Sequence, residues 1–341
     1  MNARVPTTPA ETAAGLMKAV ICTEYTTVDK LSIGQCEAPA LFADGVRVAM
    51  RVAAINPPDV LMAQGKYQVK PDLPFVPGIE GMGTVMEVGA NVTDLKPGDR
   101  VMSYVGQGCF AEQAVIARNR IERVPAGMSD NQASGFVLVY STAYHGLVDC
   151  GHLAAGDVLV VLGASGGIGL CAIQIAKALG ATVIAVASTE QKLAMCKTNG
   201  ADHLVNGALE NITDRIKEIT GKKGANVILD VVGGDMTEAA LRGIAPYGRL
   251  LITGYASGVI PNIKGNLVLL KQASVIGVSY RQHLERKPEK AAANLRALCA
   301  LYTDGKLHPE VGAEFGMDQI VDALKQVGER RAIGKVAVKL Q

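Results

Sequence analysis

Up to about Ala126, the chain contains short segments in which apolar positions alternate with polar or small ones. A period of two places successive side chains on opposite faces of a strand, and Gly and Pro residues separate these segments. The pattern therefore predicts an irregular antiparallel β-domain, with strands at residues 18–21, 46–52, 83–88, 100–105 and 114–116.

After Pro125 the pattern changes, and stretches of helical periodicity alternate with nearly continuous apolar runs at residues 158–162, 182–187, 227–230, 249–252 and 274–278. In the first of the helical stretches, Ile168, Ala172, Ile175 and Leu179 fall on one face of a helix. Strands that are apolar nearly throughout are typical of a parallel sheet that is covered on both faces. The predicted fold class is therefore α/β, with a doubly wound parallel sheet of the Rossmann type.

Other signals predict where further elements begin and end. Ser129 and Gln132 have the spacing of a capping box, which predicts the start of a helix. From Glu289 onward the pattern predicts one long helix, a short helix near residues 319–327 and a last strand at residues 335–338. This strand has no position in the parallel sheet, so we expect it to return to the first domain.

A glycine-rich loop follows the apolar run at residues 158–162 and leads into the amphipathic helix. Glycines allow a sharp turn and a close approach of the backbone to a pyrophosphate, which the free N–H groups of the helix N-terminus then face. The alternative is a glycine turn without a ligand. The position between a strand and a helix favours a dinucleotide site built on Gly163-Ala164-Ser165-Gly166-Gly167-Ile168-Gly169.

The end of the next strand indicates which dinucleotide is preferred. Sites that prefer NAD commonly have an Asp or Glu there, which binds the ribose 2′-hydroxyl. This chain has Ser188 and Thr189 instead, with Lys192 on the following helix. Ser188 and Lys192 can bind a 2′-phosphate, so the sequence predicts NADPH as cofactor. The alternative is that Lys192 is a solvated helix residue.

Composition limits the class of protein. The length of 341 residues suits two domains, and 49% hydrophobic residues against 19% charged ones indicate large buried cores. A net charge of +2 gives no reason to expect a nucleic-acid or membrane partner, and no apolar run approaches the roughly 20 residues that span a bilayer. We interpret residues 1–16 as an extension rather than a secretory signal. The seven cysteines fit reduced thiols in or near the core of a cytoplasmic protein.

Besides the glycine loop, the chain contains a series of short motifs, namely Asn56-Pro57-Pro58-Asp59, Gly65-Lys66-Tyr67, Pro77-Gly78-Ile79-Glu80-Gly81, Gly98-Asp99-Arg100-Val101, Thr142-Ala143-Tyr144-His145, Gly200-Ala201-Asp202-His203, Asp230-x-x-Gly233-Gly234 and Gly334-Lys335-Val336. In the order and spacing of these motifs, the chain resembles the zinc-free quinone oxidoreductases, the zeta-crystallin-like branch of the medium-chain dehydrogenase/reductase superfamily. The resemblance implies a GroES-like β-barrel catalytic domain at residues 17–135 and 283–341, and a Rossmann domain at residues 136–282. It also implies a homodimer or homotetramer.

The resemblance further implies the roles of individual residues. The catalytic candidates are Asn56 and Tyr67, which line the nicotinamide pocket of related enzymes. Their alternative interpretations are a turn residue before Pro57 and a core aromatic residue. The implied cofactor-binding residues are Thr142, Ala164, Ser165, Gly166, Gly167, Ile168, Ser188, Lys192, Asn206, Val232, Gly233, Gly254, Tyr255, Ala256, Val278, Ser279 and Tyr280.

Departures from the zinc-dependent members of the superfamily predict that no catalytic metal is bound. Those members have a metal-binding Cys where this chain has Asn56, and a Gly-His-Glu motif where it has Gly78-Ile79-Glu80. The row of four cysteines that holds a structural zinc is also absent, and no set of Cys and His residues supplies three ligands at a plausible spacing. Two further departures are Ala63, where many zinc-free members have Arg, and Gly207, where many have Tyr and so one more contact to the 2′-phosphate.

These observations predict a zinc-independent reductase that transfers hydride from NADPH to a quinone or an activated C=C bond. Such acceptors spread the resulting charge onto an oxygen without a metal ion. One alternative is a 2-enoyl-thioester (acyl-CoA) reductase, because that related group is similar from Asn56 to Tyr67. Another is a non-catalytic role, as zeta-crystallin-like proteins can be structural or RNA-binding proteins.

Overall fold

Residues 15–341 are described in a computed structural model, so most of the predicted extension at residues 1–16 lies outside the described part. The strands are β1 (Leu16–Ile21), β2 (Ser32–Glu37), β3 (Gly45–Ile55), β4 (Glu80–Val88), β5 (Arg100–Tyr104), β6 (Gln113–Ala117), β7 (Ile121–Arg123), β8 (Val158–Leu162), β9 (Thr182–Ala187), β10 (His203–Asn206), β11 (Ala225–Asp230), β12 (Ile244–Ile252), β13 (Ser274–Gly277), β14 (Val311–Gly316) and β15 (Lys335–Lys339).

The α-helices are α1 (Pro57–Ala63), α2 (Asp130–Ser134), α3 (Phe136–Tyr144), α4 (Gly167–Ala178), α5 (Glu190–Thr198), α6 (Ile212–Ile219), α7 (Asp235–Arg242), α8 (Gly265–Lys271), α9 (Tyr280–Arg286), α10 (Pro288–Thr303) and α11 (Ile320–Gly328). A π-helical segment at His145–Cys150 continues α3, and single 3-10 turns occur at Val28–Lys30, Arg118–Arg120 and Met317–Gln319. No helix in the described range 15–341 is both long and apolar enough to cross a membrane.

The chain folds into two units. The first contains residues 15–124 together with Glu314–Arg330 and Ala337–Gln341, and the second contains Pro125–Ala313 and Arg331–Val336. Residues 125–135, 283–313 and 331–336, which were predicted to belong to the catalytic domain, thus lie in the second unit. The reason is their packing, since α10 packs against α3 and the His308 N–H donates to Gln174 Oε1 at 2.8 Å.

The first unit is built on antiparallel strands. Its sheet has the order β14-β15-β3-β4-β5-β7, with β6 paired to β3, and β1 and β2 form a separate two-stranded sheet. The predicted antiparallel β-domain is therefore confirmed. The last strand, β15, lies beside β3, which confirms that the chain returns to this sheet.

The second unit is built on a six-stranded parallel sheet with the order β10-β9-β8-β11-β12-β13. This is the doubly wound order, with a switch in winding direction between β8 and β11. Its core contains fully buried aliphatic side chains from the central strands, among them Val160, Leu162, Ile184, Val186 and Ile228. The predicted Rossmann fold is confirmed.

One local expectation is confirmed and two differ from the structure. The capping box is confirmed, because the Gln132 N–H donates to Ser129 Oγ at 3.3 Å at the start of the short helix α2. The strand β13, at one edge of the sheet, is not covered on both faces, because Val275 is 39% exposed. The buried surface of α4 is broader than the predicted stripe, because Gln174 is also buried, where it accepts a hydrogen bond from the Tyr140 hydroxyl.

The cysteines are all free thiols, as predicted. Four of them are buried and three are half-buried. Burial raises the pKa of Cys196 to about 12, so this thiol is protonated at neutral pH.

Candidate active site and cofactor site

The glycine loop connects β8 to α4, and three of its glycines have distinct steric roles. Gly163 has φ of +72°, and a Cβ there would lie 2.8 Å from side-chain atoms of Val231 and Val232. Gly166 is the N-cap of α4, and it has no side chain over the helix end. A Cβ on Gly169 would lie 2.5 Å from the carbonyl oxygen of Gly163, so glycine lets the first turn of α4 pack against the loop. The loop thus has the form that a pyrophosphate requires.

The residues after β9 form the expected adenosine side. Ser188 is exposed, and Thr189 caps α5 by accepting a hydrogen bond from the Lys192 N–H at 3.3 Å. The Lys192 side chain is half-buried. Asn206 ends β10, and its Nδ2 donates to Glu190 Oε1 at 2.9 Å. The sequence analysis missed this carboxylate, which lies on the first turn of α5 and is held by a residue that we expected to bind cofactor.

The loop that follows β11 and the loop that follows the neighbouring strand β12 are hydrogen-bonded to each other. The Ala256 N–H donates to the Val231 carbonyl at 3.0 Å, and the Gly234 N–H donates to the Val259 carbonyl at 3.0 Å. Gly233 has φ of +75°, and a Cβ there would lie 2.6 Å from the Val259 carbonyl oxygen. The structure therefore brings together five of the predicted residues, namely Val232, Gly233, Gly254, Tyr255 and Ala256.

The shape of the loop after β11 depends on Asp230, whose role the sequence analysis did not predict. This carboxylate is fully buried and accepts from the N–H groups of Val232 and Gly233 at 2.8 and 2.9 Å. It also accepts from the Thr237 hydroxyl on α7. The position of the loop is therefore fixed, because backbone donors at two successive residues bind one oxygen.

The remaining cofactor candidates lie on α3 and at the start of α9. The Thr142 hydroxyl donates to the Leu138 carbonyl of its own helix at 2.6 Å. The Val278 N–H donates to the Ile252 carbonyl at 2.8 Å, which continues the β12–β13 pairing by one residue. Ser279 caps α9, and Tyr280 is buried.

With Thr142 excepted, every predicted cofactor residue lies at or just beyond the carboxyl end of a strand in the parallel sheet. In open α/β sheets this edge is where ligands bind, next to the point at which the winding direction changes. The arrangement can hold an extended dinucleotide, with the phosphates at the N-terminus of α4. The carboxyl edge was predictable because most strands of the sheet are distinct apolar runs that are followed by a glycine or a polar residue, although β10 is not among the predicted runs.

The catalytic candidates belong to the first unit, where Asn56 is held by an unusually polar cluster. Asn56 is 2% exposed, and its Nδ2 donates to the Ala54 carbonyl at 3.2 Å and to Glu80 Oε1 at 2.9 Å. Because both neighbours are acceptors, they fix which end of the amide carries the nitrogen. Asn56 also caps α1, with Pro57 in the first turn.

Two buried carboxylates complete this cluster. Asp59 accepts from the backbone N–H groups of Asn56 at 2.8 Å and Ile79 at 3.0 Å, so it fastens α1 to the start of β4. Glu80 is also fully buried. Burial, with a further contribution from the charges of these two carboxylates, raises the pKa of the neighbouring Cys109 thiol well above its usual value. The sequence analysis missed the cluster because its members come from separate elements.

Tyr67 comes after the turn that ends α1. Gly65 makes this turn possible, since it has φ of +64° and a Cβ there would lie 3.0 Å from Tyr25 Cβ. The Tyr67 N–H donates to the Leu61 carbonyl at 3.2 Å, and its side chain is half-buried. Tyr67 is therefore anchored through its backbone to α1, the helix that Asn56 caps.

One group of possible metal ligands was not anticipated from the sequence, where only sets of three Cys and His residues were considered. The second unit brings together His145, Asp149 and His283, whose ligand atoms all lie within 4.8 Å of one another. The pattern was missed because the third ligand is a carboxylate and His283 comes from a distant helix.

Two protein-family models match parts of the chain. The family model described as the alcohol dehydrogenase GroES-like domain matches residues 43–126, and the model described as zinc-binding dehydrogenase matches residues 167–297. These matches agree with a GroES-like first unit and a Rossmann-type second unit.

Named relatives are similar over most of the chain. A quinone oxidoreductase-like protein 2 homolog of Nematostella vectensis is 38% identical, over 86% of this chain and 81% of the relative. The solved structure of a quinone oxidoreductase of Pseudomonas syringae pv. Tomato DC3000 is 26% identical, with a TM-score of 0.88 over 95% of this chain and 99% of that one. A mycobacterial protein solved in complex with NADPH is also 26% identical, with a TM-score of 0.87 over the same shares of the two chains.

Proposed function

The chain belongs to the quinone oxidoreductase-like family of the medium-chain dehydrogenase/reductase superfamily, and from this membership we propose that it is a zinc-independent, NADPH-dependent reductase of quinones or of C=C bonds conjugated to a carbonyl group. Its relatives support the assignment as an oxidoreductase with a nicotinamide cofactor. The preference for NADPH, the type of acceptor and the independence from a metal ion are argued from the residues of this chain.

The choice of NADPH is supported by the residues after β9. Ser188 and Lys192 can donate hydrogen bonds to a 2′-phosphate, and Ser188 stands where NAD-preferring sites commonly have a carboxylate. A mycobacterial relative was solved with NADPH, in agreement with this assignment. The N–H groups at the start of α4 would bind the pyrophosphate.

The choice of acceptor is supported by the chemistry of the residues in the first unit. When bound, the reduced nicotinamide supplies a hydride. Asn56 stands where zinc-dependent members have a metal-binding Cys, and its amide hydrogens are directed to Ala54 and Glu80. Asn56 therefore does not supply the thiolate that holds a catalytic metal ion in those members, and a simple carbonyl would lack a metal ion to polarise it. Quinones and enones are suitable acceptors because they delocalise the added charge onto an oxygen.

Asn56 and Tyr67 then have different roles. The two amide hydrogens of Asn56 are used within the first unit, so we assign it a positioning role. Tyr67 carries a phenol, a group that can donate a hydrogen bond or a proton to the reduced acceptor. Tyr67 is therefore the proposed donor.

The observation that carries the proposal is the set of cofactor candidates at the carboxyl edge of the parallel sheet, with Ser188 rather than a carboxylate at the end of β9. Steady-state kinetics with NADPH and NADH test it, using a benzoquinone, a simple enone, an enoyl-CoA and a simple aldehyde as acceptors. We expect turnover with NADPH and the quinone or enone, and none with the aldehyde. Reduction of the aldehyde alone, or turnover only with NADH, contradicts the proposal.

A further inference from the structure

The second unit contains a cluster of two histidines and an aspartate outside the residues assigned to cofactor binding. His145 and Asp149 lie in the π-helical segment that continues α3, and their spacing of four residues puts them on one face. His283 comes from α9. Interruptions of the π-helical type are frequent at functional sites.

The three side chains converge on one point. His145 Nδ1 lies 2.9 Å from Asp149 Oδ2, and His283 Nε2 lies 3.7 Å from the same oxygen. The two imidazole rings are stacked, with centroids 3.8 Å apart. A tetrahedral zinc ion with bonds of about 2.0–2.1 Å separates its ligand atoms by about 3.3 Å. The observed distances lie on both sides of this value, so small rotations would suffice to make the site.

His283 provides the independent observation that something binds there. Its side chain is 4% exposed, yet its Nε2 has no hydrogen-bond partner within residues 15–341. A buried imidazole nitrogen that lacks a hydrogen-bond partner is suited to bind a metal ion.

Residues around the cluster are arranged as the outer partners of a metal site. Cys150 Sγ lies 3.6 Å from His145 Nε2, on the side of the ring opposite Asp149, so it can hold the proton there and leave Nδ1 as the ligand. Asn294 is buried on α10 and donates from Nδ2 to Asp149 Oδ2 at 2.7 Å. A half-turn of this amide would present its oxygen as a fourth ligand.

We propose that His145, Asp149, His283 and Asn294 bind one divalent transition-metal ion of the zinc type. The mixture of imidazole and oxygen ligands suits zinc, and four protein ligands make a closed, structural site rather than a catalytic one. The metal would join the end of α3 to α9 and α10. Lys290 Nζ, 3.3 Å from Asp149 Oδ1, opposes a cation, but its side chain is 53% exposed and can turn to solvent.

The test uses the full chain, freed of metal by a chelator and titrated with Co²⁺ or Zn²⁺. We expect one equivalent of Co²⁺ to give the intense visible absorption of a tetrahedral site, which Zn²⁺ displaces. Excess Zn²⁺ should raise the midpoint of thermal unfolding by about 5 °C, and EDTA should reverse this shift. The absence of a saturable, one-to-one Co²⁺ signal overturns the proposal.

Variants identify the ligands. His283→Gln should weaken Zn²⁺ binding by about 100-fold or more, whereas the matched control His203→Gln, at an exposed histidine, should leave it unchanged. Lys290→Gln removes an opposing surface charge and should strengthen binding by up to about fivefold. If His283→Gln does not fold, the affinity of Lys290→Gln for Zn²⁺ alone tests the proposal. Unchanged or weaker binding in Lys290→Gln, or equal losses in His283→Gln and His203→Gln, would place the ion elsewhere and overturn the proposal.

Discussion

The side chains of Asn56 and Glu80 are joined by a hydrogen bond of 2.9 Å that no solvent reaches, since the two residues are 2% and 0% exposed. Asn56 caps α1 and Glu80 begins β4, so the bond fixes the helix that leads to Tyr67 against the sheet of the first unit. A buried amide that loses its acceptor keeps the full cost of desolvation. Glu80 is therefore expected to act through Asn56, as a positioning residue.

Substitutions of Glu80 test this relationship. Glu80→Ala should lower the free energy of unfolding by about 1–3 kcal/mol, because Asn56 Nδ2 loses a buried acceptor. Glu80→Gln keeps an oxygen that can accept the bond, so it should retain more stability and more activity than Glu80→Ala. Denaturant unfolding and steady-state kinetics measure the two effects. The positioning role requires that kcat falls while KM for NADPH stays constant, and equal behaviour of the two variants would contradict it.

Most of the second unit could be predicted from sequence because its strands are short apolar runs with clear ends. Two features were not predicted, and both depend on tertiary packing. The strand β13 belongs to the same series of predicted apolar runs as the central strands, yet the order of strands in the sheet leaves it at an edge. Gln174 interrupts the apolar pattern of α4 but is buried, because Tyr140 and the His308 backbone satisfy its side-chain oxygen.

The candidate sites were predictable only where function depends on local sequence. The glycine loop is one continuous motif, and its steric demands are visible in the order of its residues. The bonds of Asn56 to Glu80, and of Asn206 to Glu190, join residues that are distant in sequence, so no spacing rule reveals them. The same holds for the approach of His283 to Asp149.

Catalysis is expected to be independent of metal. Asn56 replaces a metal-binding residue of the zinc-dependent members, so hydride transfer should not need a Lewis acid. Dialysis against a strong chelator should leave the initial rate of quinone reduction unchanged at a temperature well below that of unfolding. The His283→Gln variant serves as a control, since it removes the proposed structural ion and should keep the rate. Loss of activity on chelation that added zinc restores in this variant would refute metal independence.

The preference for NADPH is expected to depend on Lys192. Lys192→Ala should weaken NADPH binding by about 5- to 30-fold, equivalent to about 1–2 kcal/mol for one phosphate contact, and should leave NADH binding nearly unchanged. Lys197→Ala, at an exposed position of the same helix, is the matched control. Fluorescence titration with both nucleotides measures the dissociation constants. Equal losses for NADPH and NADH would show that Lys192 does not contact the 2′-phosphate.

Glu190 provides a second test of the expected adenosine side of the cofactor site. Its carboxylate is held by Asn206 on the first turn of α5, where negative charge opposes a 2′-phosphate. Glu190→Gln should therefore strengthen NADPH binding relative to NADH, with the hydrogen bond from Asn206 preserved. A ratio of the two dissociation constants that does not change would mean that the phosphate lies away from α5.

A homodimer is the proposed assembly, with the edge strand β13 at its interface. Leu269 and Leu270 of α8 are each 76% exposed, and Val275 of β13 is 39% exposed. An exposed apolar edge is suited to pair with a second copy of itself across a two-fold axis. Leu270→Glu should shift the molar mass measured by light scattering from dimer to monomer. Leu209→Glu, at a leucine that is 82% exposed beyond β10 at the opposite edge of the sheet, should leave the mass unchanged.

Tyr67 separates quinone reduction from the alternative of enoyl-thioester reduction. Hydride addition to an enoyl thioester leaves an enolate that must gain a proton at carbon, and a phenol near the substrate can supply it. A reduced quinone can take its protons at oxygen from solvent. Tyr67→Phe removes only the hydroxyl, so the fold and NADPH binding should be kept.

For a quinone reductase, Tyr67→Phe should lower kcat only slightly. For an enoyl-thioester reductase, kcat for the C=C substrate should fall by about 100-fold or more, the low end of general acid effects. The control Tyr247→Phe removes a hydroxyl from a side chain that is 69% exposed in the second unit, and should change neither rate. Rates of Tyr67→Phe that match this control on every acceptor would mean that Tyr67 only packs against α1. Tyr67→Phe removes only the hydroxyl. A loss of turnover confined to the enoyl thioester would therefore assign the protein to the enoyl-thioester reductases, and the assignment of NADPH as cofactor would stand.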